Sequence, residues 1–88
     1  MDQHEVIIYT TKVCPYCRAA KDLFTGLAVP YREVELDSNP DLRAKLSVEN
    51  GGWRTVPMIF VNGKFIGGFD DTQKLIKSGT LQKMLGLS

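Results

Sequence analysis

The chain has 88 residues, a length that suits one domain without a large second lobe, and we expect residues 1–88 to form a single domain. A formal net charge of +1 lacks the clustered basic excess of a nucleic-acid-binding surface, so we expect no nucleic-acid partner. No apolar run approaches the roughly 18 residues that a membrane span needs, so we expect no membrane partner either.

The cysteine and histidine content limits the chemistry that the chain can perform. The two cysteines, Cys14 and Cys17, are too few for the disulfide framework of a small secreted protein. In a reducing compartment such a pair is more typical of redox chemistry than of structure. The single histidine, His4, and the lack of a second CxxC pair predict that no metal is bound. Residues 1–5 are polar and acidic, unlike a secretory signal or an Arg-rich transit peptide, and they predict a cytoplasmic protein.

A strand and a helix are predicted first along the chain. Residues 6–10 form a β-prone run, and Pro15 suits the first turn of the helix that follows. This helix is expected over residues 16–27, because Pro30 prevents its continuation. Its apolar residues recur at helical spacing: Ala19, Ala20, Leu23, Phe24 and Leu27.

The sequence Cys14-Pro15-Tyr16-Cys17 opens this helix and is the most informative motif. A thiol at a helix N-terminus lies against unpaired backbone N–H groups and the positive end of the helix dipole, which favour thiolate over thiol. The thiolate is the form that attacks a disulfide. Because the two residues between the cysteines fit one helical turn, Cys17 can reach back and resolve a mixed disulfide on Cys14. The motif therefore predicts thiol–disulfide exchange.

A second strand and a second helix follow. Residues 31–36 alternate between apolar and charged side chains, which favours a short strand. Ser38 or Asn39 is expected to cap the next helix, with Pro40 in its first turn. That helix should end near Asn50, where two glycines follow.

The rest of the chain predicts a hairpin and two helices. Residues 58–61 and 64–67 are β-prone runs joined by Asn62-Gly63, a favoured hairpin turn. The sequence Asp70-Asp71-Thr72 offers N-cap chemistry for a third helix. The apolar residues of the tail predict a short amphipathic helix that docks on the core: Leu81, Met84, Leu85 and Leu87.

The predicted order is β-α-β-α-β-β-α with a short C-terminal helix. Strands separated by a helix imply a parallel pair, and the hairpin adds an antiparallel pair. We therefore expect an α/β fold in which a four-stranded mixed β-sheet is flanked by helices on both faces.

Four features resemble the dithiol glutaredoxins, which have the thioredoxin fold. They are the strand before Cys-Pro-Tyr-Cys, the Thr55-Val56-Pro57 loop before a hairpin, Gly67-Gly68 at the end of the hairpin, and Asp70-Asp71 at the next helix. Each is common alone, but in this order and over nearly the whole chain they are specific. The resemblance implies a monomeric glutaredoxin domain that reduces protein–glutathione mixed disulfides and protein disulfides, with glutathione as the electron donor.

The resemblance also implies roles for individual residues. Cys14 would be the nucleophile and Cys17 the resolving thiol, with Tyr16 at the border of the glutathione groove. The Pro57 peptide would be cis, so that the backbone of Val56 pairs with the cysteinyl part of glutathione like an added strand.

The two ends of glutathione would meet charged groups. Asp70 or Asp71 and the backbone amides at that helix start would receive the γ-glutamyl end. Arg43 is the first candidate for binding the glycyl carboxylate, and Lys12 is the second. The neighbouring residues of the two site motifs, Thr55 and Gly68, complete the expected glutathione site.

Three positions depart from the family pattern. Thr11 stands three residues before the first cysteine, where glutaredoxins often have lysine, and Lys12 is one residue closer. Phe69 follows the glycine pair where close relatives commonly have cysteine. The loop that contains Trp53 is slightly longer than usual, and Trp53 itself is interpreted as either a rim aromatic for partner proteins or an anchor of that loop.

The sequence is also compatible with two other functions. A redoxin of this kind can take electrons from thioredoxin reductase and pass them to ribonucleotide reductase, which is also a possible client of a glutaredoxin. Alternatively, a dimer can carry an iron–sulfur cluster held by two Cys14 thiolates and two glutathiones. Relatives specialised for clusters usually have Gly-Phe-Ser after the cysteine, whereas Pro15 stiffens that turn here.

Overall fold

A computed structural model describes residues 5–86, and its elements follow the predicted order. The strands are β1 (Val6–Thr10), β2 (Arg32–Glu35), β3 (Met58–Val61) and β4 (Lys64–Gly67). The helices are α1 (Pro15–Gly26), α2 (Pro40–Glu49), α3 (Phe69–Lys77) and α4 (Thr80–Met84). The predictions made for His4 and Leu87 fall outside the described residues.

The strands form one mixed sheet in the order β2-β1-β3-β4. Strand β1 is parallel to β2 and antiparallel to β3, so that Tyr9 lies opposite Val34 on one side and Met58 on the other. Strand β3 returns into antiparallel β4 through Asn62 and Gly63, whose φ values of 53° and 82° are those of a tight hairpin turn. The predicted parallel pair and the predicted hairpin are both confirmed.

The sheet separates two apolar clusters, as expected for helices on both faces. The larger cluster lies between the sheet and helices α1, α3 and α4, and its buried residues are Val6, Ile8, Ala20, Phe24, Ile59, Val61, Leu81 and Leu85. The smaller cluster lies on the α2 face, and its buried residues are Leu36, Leu46 and Met58. Alternate residues of β1 and β3 point into opposite clusters, which fixes the register of the central strands.

The helix N-termini show how local sequence sets the boundaries. Asn39, one of the two expected caps of α2, accepts a hydrogen bond from the Leu42 N–H at 3.1 Å. Helix α3 differs from the prediction: its N-cap is Gly68, and the acidic pair lies in the first turn. The cause is that the Asp71 carboxylate folds back and accepts the Gly68 N–H at 3.0 Å. Between residues 5 and 86 no helix is long and apolar enough to cross a membrane.

Candidate active site

The cysteine pair lies where β1 gives way to α1. Cys14 is the N-cap of α1, with extended backbone dihedral angles, and Pro15 is the first helical residue. The two cysteines form a disulfide, and their Cα atoms are 5.2 Å apart. Cys17 is only 2% exposed, whereas Cys14 is half-buried at the surface. Only the Cys14 sulfur is therefore open to a large substrate.

The helix N-terminus supplies the electrostatic environment of Cys14. The Cys17 N–H donates to the Cys14 sulfur at 3.1 Å, and the first turn of α1 contains no acidic residue. An N–H donor and the positive end of the helix dipole both stabilise negative charge on sulfur. This arrangement is chemically suited to a thiolate nucleophile.

A groove of about 310 Å³ runs beside the cysteine pair. The Cys14 sulfur lies 3.6 Å from the carbonyl oxygen of Val56, a residue of the groove wall, which places the reactive atom at its edge. The peptide bond between Val56 and Pro57 is cis, as the family resemblance implied. The predicted site residues that line the groove are Tyr16, Thr55, Val56, Pro57, Gly68, Asp70 and Asp71.

The start of α3 forms part of the groove wall. The Thr72 hydroxyl donates to the carbonyl oxygen of Gly68 at 2.9 Å, and Asp71 accepts the N–H of the same residue. Gly67 has a φ of 109°, and a Cβ there would lie 2.5 Å from Oδ2 of Asp71. A glycine is thus required beside the carboxylate that holds this turn.

The two predicted cations lie outside the groove lining. The Arg43 guanidinium donates from Nη2 to the carbonyl oxygen of Arg54 at 3.2 Å, beside Thr55 of the groove wall. Lys12 is exposed, and its backbone N–H donates to Oδ2 of Asp37 at 3.0 Å. Their predicted contact with a glycyl carboxylate stays a prediction.

Two aromatic residues that were not predicted from the sequence as site residues, Trp53 and Phe69, also line the groove. The Trp53 ring makes an edge-to-face contact with Phe65 at 5.2 Å between centroids, so it is both a loop anchor and a groove residue. The Phe69 ring lies 6.1 Å from that of Tyr16 and joins the starts of α1 and α3. Phe69 departs from the family pattern, in which cysteine is common at this position, but only the tertiary structure shows that Phe69 lines the groove.

A polar network joins the end of β1 to α1 and β2. The hydroxyl of buried Thr10 donates to Glu33 at 2.8 Å, and Lys21 forms an ion pair with the same carboxylate at 2.9 Å. The hydrogen bond from Lys21 holds the pKa of Glu33 below its ordinary value, against an opposing effect of burial. Across residues 5–86, no group of three or more His, Cys, Asp or Glu side chains is placed to hold a metal ion.

Comparisons with known proteins agree with this geometry. A family model described as Glutaredoxin matches residues 6–66. Glutaredoxin-C4 of Arabidopsis thaliana is 45% identical over an alignment of 92 positions, which covers 100% of this chain and 67% of that protein. A Pseudomonas aeruginosa glutaredoxin is 41% identical over 80 residues, or 91% of this chain and 94% of that protein.

Solved structures show the same likeness. A crystal structure of a buckwheat glutaredoxin–glutathione complex has a TM-score of 0.87 at 35% identity, covering 94% of this chain and 77% of that one. The crystal structure of a wheat glutaredoxin has a TM-score of 0.84 at 40% identity, covering 92% of this chain and 78% of that one.

Proposed function

The chain belongs to the glutaredoxin family and is a thiol–disulfide oxidoreductase with the thioredoxin fold, and on that premise we propose that it uses glutathione as its electron donor. Its substrates are then protein–glutathione mixed disulfides and protein disulfides. The observation that carries the proposal is the accessible Cys14 sulfur at the edge of a groove that the first turn of α3 also lines.

The first route uses Cys14 alone. Its thiolate attacks the glutathione sulfur of a mixed disulfide, so that a Cys14–glutathione disulfide forms and the protein leaves as its thiolate. A second glutathione thiolate then attacks the bound glutathione sulfur. Glutathione disulfide leaves and the Cys14 thiolate is restored. The N–H of Cys17, 3.1 Å from the Cys14 sulfur, is positioned to stabilise this thiolate as attacker and as leaving group.

The second route uses both cysteines. Cys14 attacks a protein disulfide and forms a mixed disulfide with one protein sulfur, while the other leaves as a thiolate. Cys17 then attacks the Cys14 sulfur, which releases the reduced protein and leaves the Cys14–Cys17 disulfide. Burial of Cys17 suits this role, because it restricts Cys17 to reaction with its neighbour. Two glutathiones return the pair to the dithiol state.

Glutathione binding is proposed along the groove. The backbone of Val56 pairs with the cysteinyl part, next to the Cys14 sulfur. The γ-glutamyl end lies at the start of α3, where N–H groups bind a carboxylate and Asp70 binds the amino group. Tyr16, Thr55, Pro57 and Gly68 form the walls, and Arg43 or Lys12 binds the glycyl carboxylate. The buckwheat complex, titled as a glutaredoxin–glutathione structure, supports this choice of ligand.

The test is glutathione-dependent reduction of a small mixed disulfide, coupled to glutathione reductase and NADPH. Wild type and Cys17→Ser should both turn over, and Cys14→Ser should be inactive. A second assay uses a protein disulfide, which Cys17→Ser should fail to reduce. Full activity of Cys14→Ser would contradict the role of Cys14, and loss of both activities in Cys17→Ser would contradict the division of labour between the two routes.

A further inference from the structure

The dipeptide Asn-Gly occurs twice in the chain, as Asn50-Gly51 and as Asn62-Gly63, and the redox chemistry described above gives no role to the first. Asparagine followed by glycine is the sequence that deamidates most readily. The backbone nitrogen of the glycine attacks the side-chain carbonyl carbon of the asparagine, and the absent glycine side chain leaves room for that approach. The two dipeptides therefore place the same chemistry in two different surroundings.

Asn50 lies at the C-terminal end of α2 in a turn that few contacts hold. Its Nδ2 donates to the carbonyl oxygen of Leu46 at 2.8 Å, and the N–H groups of Asn50 and Gly52 donate to that of Ser47 at 3.2 and 2.7 Å. The Gly51 N–H donates no hydrogen bond within residues 5–86. Both glycines are exposed, and a Cβ on either would meet nothing within 4 Å.

This turn can bring the two reacting atoms together. Attack requires rotation about the backbone of Asn50, whose ψ is 39°. The rotation breaks the hydrogen bonds of one exposed turn and displaces no buried side chain of the two glycines, so a local opening suffices. The nitrogen of Gly51 needs no further release from a partner.

Asn62 has the opposite surroundings, because the hairpin holds both its backbone and its side chain. Its Oδ1 accepts the Glu5 N–H at 2.9 Å, and its Nδ2 donates to the Met84 carbonyl at 3.0 Å. Its own N–H donates to the Glu5 carbonyl at 2.7 Å. Attack by Gly63 requires both side-chain hydrogen bonds to break and the turn between two paired strands to open. The fold therefore protects this asparagine.

We propose that Asn50 is a deamidation site of the folded protein and that Asn62 is protected from the same reaction. The Gly51 nitrogen forms a bond to Cγ of Asn50 and loses its proton, while the side-chain nitrogen leaves as ammonia. The product is a cyclic succinimide. Water then opens the ring at one of its two carbonyl groups and leaves aspartate or isoaspartate. No electrons are transferred, so the reaction needs neither cysteine.

Deamidation reverses the capping interaction at the end of α2. A carboxylate takes the place of the amide that donates to Leu46, so that two oxygen atoms face each other. It also places negative charge at the negative end of the helix dipole. Isoaspartate lengthens the backbone by one methylene group as well. These changes loosen the turn that leads into Trp53, whose ring packs on Phe65 and lines the groove. Deamidation thus alters a wall of the groove.

The first test compares the two sites in the folded and the unfolded chain. The full chain is kept at mildly alkaline pH in heavy-oxygen water, with or without guanidinium chloride. Peptides released at acid pH are then analysed by mass spectrometry, in which a deamidated site carries one heavy oxygen atom from water. In the folded protein we expect Asn50 to react at least about tenfold faster than Asn62, because local opening is easier there. In guanidinium chloride the two rates should agree within about threefold, since the difference comes from the fold.

Two results would overturn the assignment of the site. One is an equal rate at the two asparagines in the folded protein. The other is an Asn50 that stays intact in the folded protein over the time in which the unfolded chain is converted. The variant Asn50→Gln is the chemical control, because its longer side chain cyclises much more slowly, and it should take up no heavy oxygen at this position.

The second test asks whether the change reaches the groove. Trp53 is the only tryptophan of the chain, and its Nε1 is buried, so its fluorescence reports on this loop. Asn50→Asp should have a lower urea midpoint than Asn50→Gln and an emission shifted to longer wavelength, whereas Asn50→Gln should emit as wild type does. Wild-type emission from Asn50→Asp would refute the effect on the groove. Neither test uses glutathione, so their outcome and that of the glutathione assay are independent.

Discussion

The two acidic residues at the start of α3 have different tasks although they are adjacent. The Asp71 carboxylate accepts the Gly68 N–H and closes the first turn of the helix. Asp70 is exposed and lines the groove. Oδ2 of Asp71 already accepts the Gly68 N–H, so the carboxylate of Asp70 is the better partner for a ligand amino group.

Substitution of the two aspartates should separate stability from ligand binding. Asp71→Ala should lower the free energy of unfolding by about 1 kcal/mol, because it removes a capping interaction. Asp70→Asn should change stability by only a few tenths of a kcal/mol but raise the KM for glutathione about tenfold, through loss of a charge-assisted hydrogen bond. Urea denaturation and the coupled assay measure the two effects.

Asp71→Asn is the control for this pair, since it keeps an acceptor for the Gly68 N–H. It should therefore retain most of the stability that Asp71→Ala loses. An Asp70→Asn protein with an unchanged KM for glutathione would assign the amino-group contact elsewhere.

At the level of whole elements, the end of α1 has a Schellman motif with an unfavourable residue at its centre. The Ala28 N–H donates to the Thr25 carbonyl at 3.0 Å, and the Val29 N–H donates to that of Phe24 at 2.9 Å. The motif requires a left-handed backbone, and Ala28 has a φ of 58°. Glycine normally occupies this position because it has no Cβ.

Opposite substitutions two residues apart should therefore both stabilise the protein. Ala28→Gly should raise the free energy of unfolding by about 0.5–1 kcal/mol by removing the left-handed penalty. Gly26→Ala should raise it by about 0.5 kcal/mol, since Gly26 is the last residue of α1 and a Cβ there meets nothing within 4 Å. The urea midpoint of unfolding measures both effects, provided that the slope of unfolding free energy against urea concentration stays unchanged. If Ala28→Gly were the less stable protein, the left-handed conformation at this position would be refuted.

The ion pair between α1 and β2 makes stability depend on pH. Its hydrogen bond lowers the pKa of Glu33 and raises that of Lys21. The Glu33 contribution is thus fully present above its unfolded pKa near 4.3 and is lost as pH falls through the lower folded value. The Lys21 contribution is present below about 10.4 and is lost as pH rises through the higher folded value.

Replacement of Glu33 by Gln should reveal the acidic half of this dependence. Gln keeps an acceptor for the Thr10 hydroxyl but removes the charge that faces Lys21. We expect a loss of about 0.5 kcal/mol at pH 7, as for a partly exposed ion pair, that shrinks below about pH 4. Urea unfolding at both pH values measures the difference. A loss that is independent of pH between 7 and 3.5 would mean that packing, not charge, is the cause.

For the molecule as a whole, the sequence predicted the fold because the local features agree with the global arrangement. Asn62-Gly63 specifies a hairpin turn, and Pro40 after Asn39 specifies a helix start, whatever surrounds them. The start of α3 was less predictable. Its cap depends on a carboxylate folding back to Gly68, which resembles a capping box without its usual serine or threonine.

The site was predictable only where a motif marked it. The cysteine pair, the loop before Pro57 and the acidic pair were found. The loop and the acidic pair line the groove, and the Cys14 sulfur lies at its edge. Trp53 reaches the groove by packing on Phe65, 12 positions later in the chain and on another element. The hydrogen bond from Lys12 to Asp37 joins two loops that each look ordinary in sequence. Such contacts depend on tertiary structure and leave no local pattern.

Asn62 ties together three parts of the molecule at the end of the sheet away from the cysteines. Its N–H donates to the Glu5 carbonyl at 2.7 Å, and its Oδ1 accepts the Glu5 N–H at 2.9 Å. Its Nδ2 donates to the Met84 carbonyl at 3.0 Å, at the end of α4. The residue thus links the start of β1, the hairpin turn and the last helix, while its φ of 53° is one that few residues adopt.

Two substitutions of Asn62 should separate these contributions. Asn62→Gly tolerates the positive φ and removes the side-chain hydrogen bonds, which should lower the free energy of unfolding by about 1–2 kcal/mol. Asn62→Ala also introduces a left-handed penalty and should lose about 1 kcal/mol more. Because Asn62 and Cys14 lie at opposite ends of β1, turnover of a small mixed disulfide at low temperature should stay within about twofold of wild type. A large loss of turnover in a folded Asn62→Gly protein would show that this end of the sheet is coupled to the nucleophile. Equal free energies of unfolding of the two variants would mean that the turn does not require a left-handed residue.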